Sequence, residues 1–308
     1  MKQLSVVVVC ALVCAACLDE AGLWGEAHWG QGHHGHHGQA GKPAGGAAGS
    51  AGSPAPTTEP RVPKVDGPCP EFQTGTLTLD GVQVRLWVGE RRAGSQGSLL
   101  FYWHGTGSSP EEANAFGVGF QEILDEGGVI AAFAGTTGQG RTTGTQTWYS
   151  GDFEIADQIA ACAVEHHDID PRRIYTAGCS SGGMQASIMA YERSAYLAAA
   201  APNSGGLYED YTLQDPGHVP AVMIAHGART SDIVIINFAD ASQAFAEEIA
   251  ALGGFAVVCD HGGGHCGAPQ AVRDAQWQFL KDHPFGVRPE PYAAGLPASF
   301  PSVCKIVK

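Results

Sequence analysis

The sequence predicts an α/β fold: an open, mostly parallel central sheet with helices on both faces, preceded by an antiparallel pair of strands. Three observations carry that expectation. Short apolar runs alternate with helix-period stretches about six times, the signature of parallel strands joined by crossover helices. The runs are continuous instead of alternating polar with apolar, as strands covered on both faces are. The chain of 308 residues, 44% hydrophobic and 16% charged, is long enough for one sizeable core with segments to spare.

The chain opens MKQLSVVVVCALVCAACLDE, one lysine followed by an apolar run through Ala16 and small residues ahead of Cys17. This is the form of a secretory signal, too short for a membrane span. The stretch CAAC resembles a bacterial lipobox with Cys17 as the lipid-modified residue. Cys14 stands where Leu is usual, and plain secretion is the alternative. Residues 1–17 are assigned to this signal. Residues 18–65 are rich in Gly, Ala, Pro, His and Ser and bury too little apolar surface to offset their ordering entropy, so they read as a flexible tether. Its histidines (His28, His33, His34, His36, His37) fit a solvated spacer or a metal-binding tract. No metal site is assigned.

Residues 66–308 form the folded domain. TGTLTLDGVQVRLWVGE alternates with period two around Asp80-Gly81, a hairpin. SLLFYWHG is a buried strand ending in a glycine turn. EEANAFGVGFQEILDEGG reads as a helix weakened by its glycines, and VIAAFAG as the next strand. GDFEIADQIAACAVEHHDID shows a helical apolar face with Asp152 near its start. RRIYTAG is a strand and SGGMQASIMAYERS the helix after it. LAAAAPNSGG is a short strand and turn, PAVMIAHG a strand, FADASQAFAEEIAALGG a helix, FAVVCD a strand and APQAVRDAQWQFLKDH a final helix.

Between the strand RRIYTAG and its helix stands Gly178-Cys179-Ser180-Ser181-Gly182. It matches G-x-S-x-G with Ser180 at the centre, in the strand–turn–helix context that gives the pattern meaning. A serine on such a sharp turn sits in strained backbone, and glycines two residues to either side let neighbouring main chain pass. Centred on Ser181 the pattern fails, because position 179 is Cys. A serine hydroxyl needs a base to take its proton, and in this architecture the acid and then the histidine follow the serine. Of His218, His226, His261, His265 and His283, His265 lies in the glycine-rich loop CDHGGGHCGAP after the last core strand and is the candidate base, with His261 the runner-up. The loop after PAVMIAH contains one carboxylate, Asp232, the candidate acid. Asp240 and Asp260 are weaker choices. Two backbone donors for a developing oxyanion are expected at Ser181 and at Thr106 in HGTGSS, with Gly107 as the alternative to Thr106. Trp148 and Tyr149 are candidates for lining an acyl pocket or for packing beneath their loop.

Three of the nine cysteines (Cys10, Cys14, Cys17) belong to the signal, leaving six in the folded part. An even set in an exported domain implies disulfides. If the Ser180 hydroxyl and the His265 ring are in hydrogen-bond reach, their neighbours Cys179 and Cys266 are close as well. A disulfide needs Cα atoms within about 7 Å, so a Cys179–Cys266 bridge is expected, worth roughly 4 kcal/mol in the chain-entropy account. Chain ends often meet, which pairs Cys69 with Cys304 and leaves Cys162 with Cys259.

The segments LLFYWHGTGSS, IDPRRIYTAGCSSGGMQA, APNSGG and HGGGH together resemble the secreted polyhydroxybutyrate depolymerase and feruloyl or acetylxylan esterase group of α/β-hydrolases, over about residues 70 to 283. The resemblance implies the α/β-hydrolase fold and a Ser180–Asp232–His265 triad acting on polymer or phenolic esters. The adjacency of Cys to Ser and of His to Cys is similar to the linked triad of tannases and fungal-type feruloyl esterases. Those enzymes carry a large lid domain for which the interval between Ser180 and Asp232 leaves no room.

The expected protein is an exported serine carboxylic-ester hydrolase, secreted or anchored at the bacterial surface. The net charge of −14 and pI near 5.3 argue against a nucleic-acid partner. No cofactor is expected. The membrane is met only through a lipid on Cys17, and the enzyme is expected to act as a monomer. The rival readings are a catalytically silent surface lipoprotein that binds glycan or polymer, and a metal-binding lipoprotein built on the histidine tract.

Overall fold

The computed structural model describes residues 55–64, 67–142 and 146–308. The signal, Cys17 and the histidine tract lie outside the described residues. The sheet begins with the predicted hairpin, β1 (Gly75–Leu79) and β2 (Val82–Val88), turning at Asp80 and Gly81, which both take positive φ. Next come β3 (Gly97–Trp103), the short helices α1 (Glu112–Phe116) and α2 (Phe120–Asp125), and β4 (Val129–Phe133). Then follow α3 (Asp152–His166), β5 (Ile169–Cys179), α4 (Ser181–Glu192), β6 (Ala199–Asn203), β7 (Ala221–His226), α5 (Phe238–Ala251), β8 (Ala256–Asp260), α6 (Gln270–Asp282) and β9 (Cys304–Ile306). The strands form one sheet in the order β1-β2-β4-β3-β5-β6-β7-β8-β9. From β4 to β8 every pairing is parallel; β2 runs antiparallel to β4 and β9 antiparallel to β8.

The alternation of side chains along a strand builds two cores. In β3, Phe101 and Trp103 point to the face covered by α3, α4 and α5, where Phe133, Trp148, Phe153, Tyr191 and Phe245 are buried with them. Leu100 and Tyr102 point to the other face, covered by α1, α2 and α6, with Tyr175, Met223, Trp277 and Phe279. Among the described residues no helix is long and apolar enough to cross a membrane.

Four expectations change. The predicted helix over EEANAFGVGFQEILDEGG is two helices. A Cβ at Gly117 would stand 1.9 Å from the Ala113 carbonyl, and Gly119 has φ +62, so the chain turns here where other residues would be strained. Strand β9 carries too few residues for its pattern to register in the sequence. Residues 55–64, assigned to the tether, lie on the domain: Thr57 donates its N–H to the Gly217 carbonyl (2.8 Å), Arg61 donates its own to Ala195 (2.7 Å), and the Arg61 guanidinium pairs with Asp215 at 2.8 Å. Finally, the pairs Cys69–Cys304 and Cys162–Cys259 do not form. The disulfides are Cys69–Cys162, Cys179–Cys266 and Cys259–Cys304. The two ends of the domain reach opposite edges of the sheet, β1 and β9, separated by eight strand spacings of about 4.8 Å each. Cys304 is instead registered directly opposite Cys259, and the segment around Cys69 lies along α3, where Phe72 stacks on His167. Three disulfides place the domain in an oxidising compartment.

His218 stacks on Phe285 with ring centroids 3.7 Å apart, and burial lowers its pKa from 6.5 to about 4. The unfolded chain therefore binds a proton between pH 6.5 and about 4 that the folded chain refuses, and stability falls as pH drops through that window. The expected result is a thermal midpoint that declines from pH 6.5 to 4.5, with a shallower decline in His218→Phe, measured by scanning calorimetry.

Candidate active site

The site is assembled at the carboxyl ends of β3, β5, β6, β7 and β8. Ser180 occupies the turn between β5 and α4 with φ 59 and ψ −123, backbone that non-glycine residues rarely adopt. Its N–H donates to the Asn203 carbonyl at the end of β6 (3.1 Å). The flanking glycines are needed for close approach. A Cβ on Gly178 would stand 2.4 Å from the Gly182 carbonyl oxygen, and one on Gly182 would stand 1.9 Å from that of Trp103. Strand, turn and helix thus touch main chain to main chain. Gly182→Ala is expected to destabilise the protein by more than about 3 kcal/mol, read as a loss of soluble yield or a large fall in the thermal midpoint.

Asp232, fully buried after β7, is held at both oxygens. Its Oδ2 accepts the Gly227 N–H (2.8 Å) and the Ser204 hydroxyl (2.8 Å), and its Oδ1 accepts from His265 Nδ1 (2.6 Å). Burial pushes the carboxyl pKa up, and the hydrogen bonds from His265, Gly227 and Ser204 more than reverse that, so the pKa lies below the ordinary value. The loop bearing His265 is pinned to the loop bearing Asp232: Ala228 N–H (2.9 Å) and Ser231 Oγ (2.7 Å) both donate to the Gly263 carbonyl. Phe238 packs its ring against the imidazole at 4.6 Å. His265 Nε2 is buried and has no hydrogen-bond partner among the described residues, so its bond to the Ser180 hydroxyl is not closed in this structure. Cys179 and Cys266, the immediate neighbours of Ser180 and His265, are disulfide-bonded with Cα atoms 5.8 Å apart.

The loop after β3 lies over the serine. A Cβ on Gly105 would stand 3.4 Å from Ser180 Cβ. Thr106 is exposed, and its hydroxyl bonds those of Ser181 (3.1 Å) and Thr147 (2.7 Å). Glu112 accepts the Gly105 N–H (3.3 Å to each oxygen) and the Tyr102 hydroxyl (3.0 Å), fixing the loop from below. Ser181 opens α4, where the first N–H groups have no intrahelical acceptor.

The other candidates have the following surroundings. Trp148 is in the core: it is 1% exposed, donates Nε1–H to the His104 carbonyl (2.9 Å) and meets Trp103 edge to face. It supports the β3 loop from the core, and the buried Asp152 accepts the Tyr149 N–H beside it (2.8 Å). Tyr149 is partly exposed. His104 and His226 turn Nδ1 to the adjacent Gly105 and Gly227 carbonyls, and His261 Nδ1 accepts the Gly263 N–H. Asp240 pairs with Arg229 on the surface, and Asp260 accepts the Gly262 N–H. Sequence reasoning missed Ser204, Phe238 and Glu112. The one available signal for Ser204 was a small polar residue in the turn APNSGG, just past a buried strand.

No family model matches the chain, and no curated protein does. Solved structures do. The native structure of pOPH superposes with a TM-score of 0.59 at 17% identity, covering 78% of this chain and 96% of that one. Native sOPH gives 0.57 at 15% identity, over 80% and 96%. A structure of esterase 2 from Thermogutta terrifontis is more distant, at TM-score 0.49 and 18% identity, over 68% and 93%. The chain has the α/β-hydrolase fold. The turn carrying Ser180 lies between β5 and α4, and the loops carrying Asp232 and His265 follow β7 and β8.

Proposed function

We propose that the protein is an exported serine carboxylic-ester hydrolase acting on polymer or phenolic esters. The observation that carries the reading is the fixed relation of three groups from three loops. The Asp232 carboxylate is locked onto His265 Nδ1, and the residue after His265 is bonded to the residue before Ser180. In the reaction, Ser180 Oγ attacks the ester carbonyl while His265 Nε2 takes its proton, and Asp232 stabilises the imidazolium. The N–H groups of Ser181 and Thr106 receive the tetrahedral oxyanion. The C–O bond then breaks, His265 returns the proton to the departing alcohol, and water, activated by the same nitrogen, releases the acid from Ser180. In the resting state the serine–histidine bond is open; such bonds often tighten only when substrate is bound.

The substrate class is supported by the loop after Asp232. Ile233, Val234 and Ile235 are 55%, 60% and 67% exposed, in a self-closed turn where Val234 N–H meets the Ile236 carbonyl. Consecutive exposed aliphatics beside a catalytic acid suit a bulky apolar ester, and the partly exposed Tyr149 suits an aromatic acyl group. The pOPH structures include a complex with pNPB, which makes p-nitrophenyl butyrate a reasonable first substrate. The test is incubation of the mature protein with a fluorophosphonate, followed by peptide mass spectrometry, beside turnover of p-nitrophenyl butyrate, polyhydroxybutyrate, methyl ferulate and acetylated xylan. A single adduct on Ser180 with ester turnover is expected. No adduct and no turnover by correctly oxidised protein rejects the proposal.

A further inference from the structure

We infer that Ser204 is a positioning residue: with Asn203 it forms the point in the fold where the three groups of the site are registered to one another. The inference rests on the hydrolase reading of Ser180, Asp232 and His265. Asn203 and Ser204 are consecutive and buried at the end of β6. The Asn203 carbonyl takes the N–H of Ser180 (3.1 Å). The Ser204 hydroxyl takes the N–H of Cys266, the neighbour of His265, at 2.9 Å, and donates to Asp232 Oδ2 at 2.8 Å. Two adjacent residues thus touch the nucleophile turn, the acid and the base loop.

The direction of these bonds follows from proton counting. A hydroxyl has one proton to give. Ser204 Oγ accepts from a backbone N–H, so its proton goes to Asp232, a carboxylate that only accepts. Oδ2 then has two donors, Ser204 and Gly227, and the carboxylate cannot rotate without losing both. Oδ1 is left facing His265 Nδ1. That fixes the proton on Nδ1 and leaves Nε2 free to act as the base.

The backbone points the same way. Ser204 has φ 44 and Cys266 φ 55, so both ends of the Cys266–Ser204 bond occupy left-handed backbone that costs non-glycine residues energy. The Ser204 N–H is itself tied to the Ala225 carbonyl at 2.8 Å. Glycine would suit the conformation at 204 better but brings no hydroxyl.

That difference supplies the test. Ser204→Gly removes the hydroxyl while relieving the backbone; Ser204→Ala removes it without relief. Both are expected to lower kcat on p-nitrophenyl butyrate by roughly 10- to 100-fold with KM nearly unchanged. The protected Nδ1 proton resonance of His265 in the proton NMR spectrum should shift or exchange away. Ser204→Gly should keep a thermal midpoint at or above that of Ser204→Ala, so lost activity cannot be assigned to unfolding. A wild-type kcat and an unmoved His265 resonance in Ser204→Gly would overturn the inference. The resonance reads the Asp232–His265 link without turnover, so wild-type protein that fails to hydrolyse any ester removes the hydrolase reading separately. A resonance unmoved by Ser204→Gly removes the role of Ser204 in either case.

Discussion

Asp232→Asn is expected to lower kcat on a soluble ester by about four orders of magnitude while the protein stays folded. The size follows from the donors around the carboxylate. Oδ2 faces two groups that only donate here, the Gly227 N–H and the Ser204 hydroxyl. An asparagine must place its carbonyl oxygen there, because its NH₂ would set donor against donor. The NH₂ is then forced toward His265 Nδ1, now 2.6 Å from Oδ1. Nδ1 must accept, the ring proton moves to Nε2, and the nitrogen facing the serine can no longer take a proton. KM should change little, since Asp232 is fully buried and touches no substrate. Steady-state kinetics with p-nitrophenyl butyrate, beside a circular dichroism melt, check both parts. Activity within tenfold of wild type would remove Asp232 from the proposed mechanism.

The second large effect is expected from the Cys179–Cys266 disulfide. All three disulfides close long loops, with sequence separations of 93, 87 and 45 residues, and the chain-entropy account assigns them roughly 4 to 5 kcal/mol each. Their loss should therefore lower stability by similar amounts. Their effects on rate should differ sharply. Cys259–Cys304 fastens the edge strand β9 to β8 and Cys69–Cys162 fastens the N-terminal segment to α3, and neither joins the nucleophile turn to the base loop. Cys179→Ala with Cys266→Ala frees the base loop from the nucleophile turn, and displacement of a base by about 1 Å costs on the order of 100-fold in rate. Measured well below the melting temperature, this pair of substitutions should reduce kcat by at least that factor, while Cys259→Ala with Cys304→Ala keeps it within a few fold. Equal kcat losses in the two double variants would show that the bridge at the site has no role beyond stability.

Much of this was legible in the sequence because local signals agreed. The buried strands from SLLFYWHG to FAVVCD are continuous apolar runs bounded by glycine, and they fall close to where they were expected. The tight turn at Ser180 was legible because its motif needs glycine at 178 and 182 for a steric reason, seen here as main-chain contacts with Gly182 and Trp103. Cys179–Cys266 followed from the neighbours of two residues that chemistry requires to meet. The other two disulfides did not follow, because proximity of the chain ends is a tendency and the sheet order places those ends on opposite edges. β9 is three residues long and held by register with β8, a long-range fact. Ser204 was hidden for the same reason: its role is set by partners 28 and 62 residues away. Trp148 shows the limit of reading aromatics in a loop. Nothing local says whether such a ring faces solvent or core; here it packs on Trp103 and Phe133 and donates to the His104 carbonyl.

The bare contact of Gly182 with the Trp103 carbonyl also brings the buried start of α4 up to the site. With no side chains between them, α4 starts directly beneath the loop after β3, its axis ending at Ser180. Aligned peptide dipoles put roughly half a positive charge at that end, and the helix is buried along nearly its whole length, so water screens it poorly. A negative oxygen forming above Ser180 would meet this potential already in place, with no dipoles left to reorient.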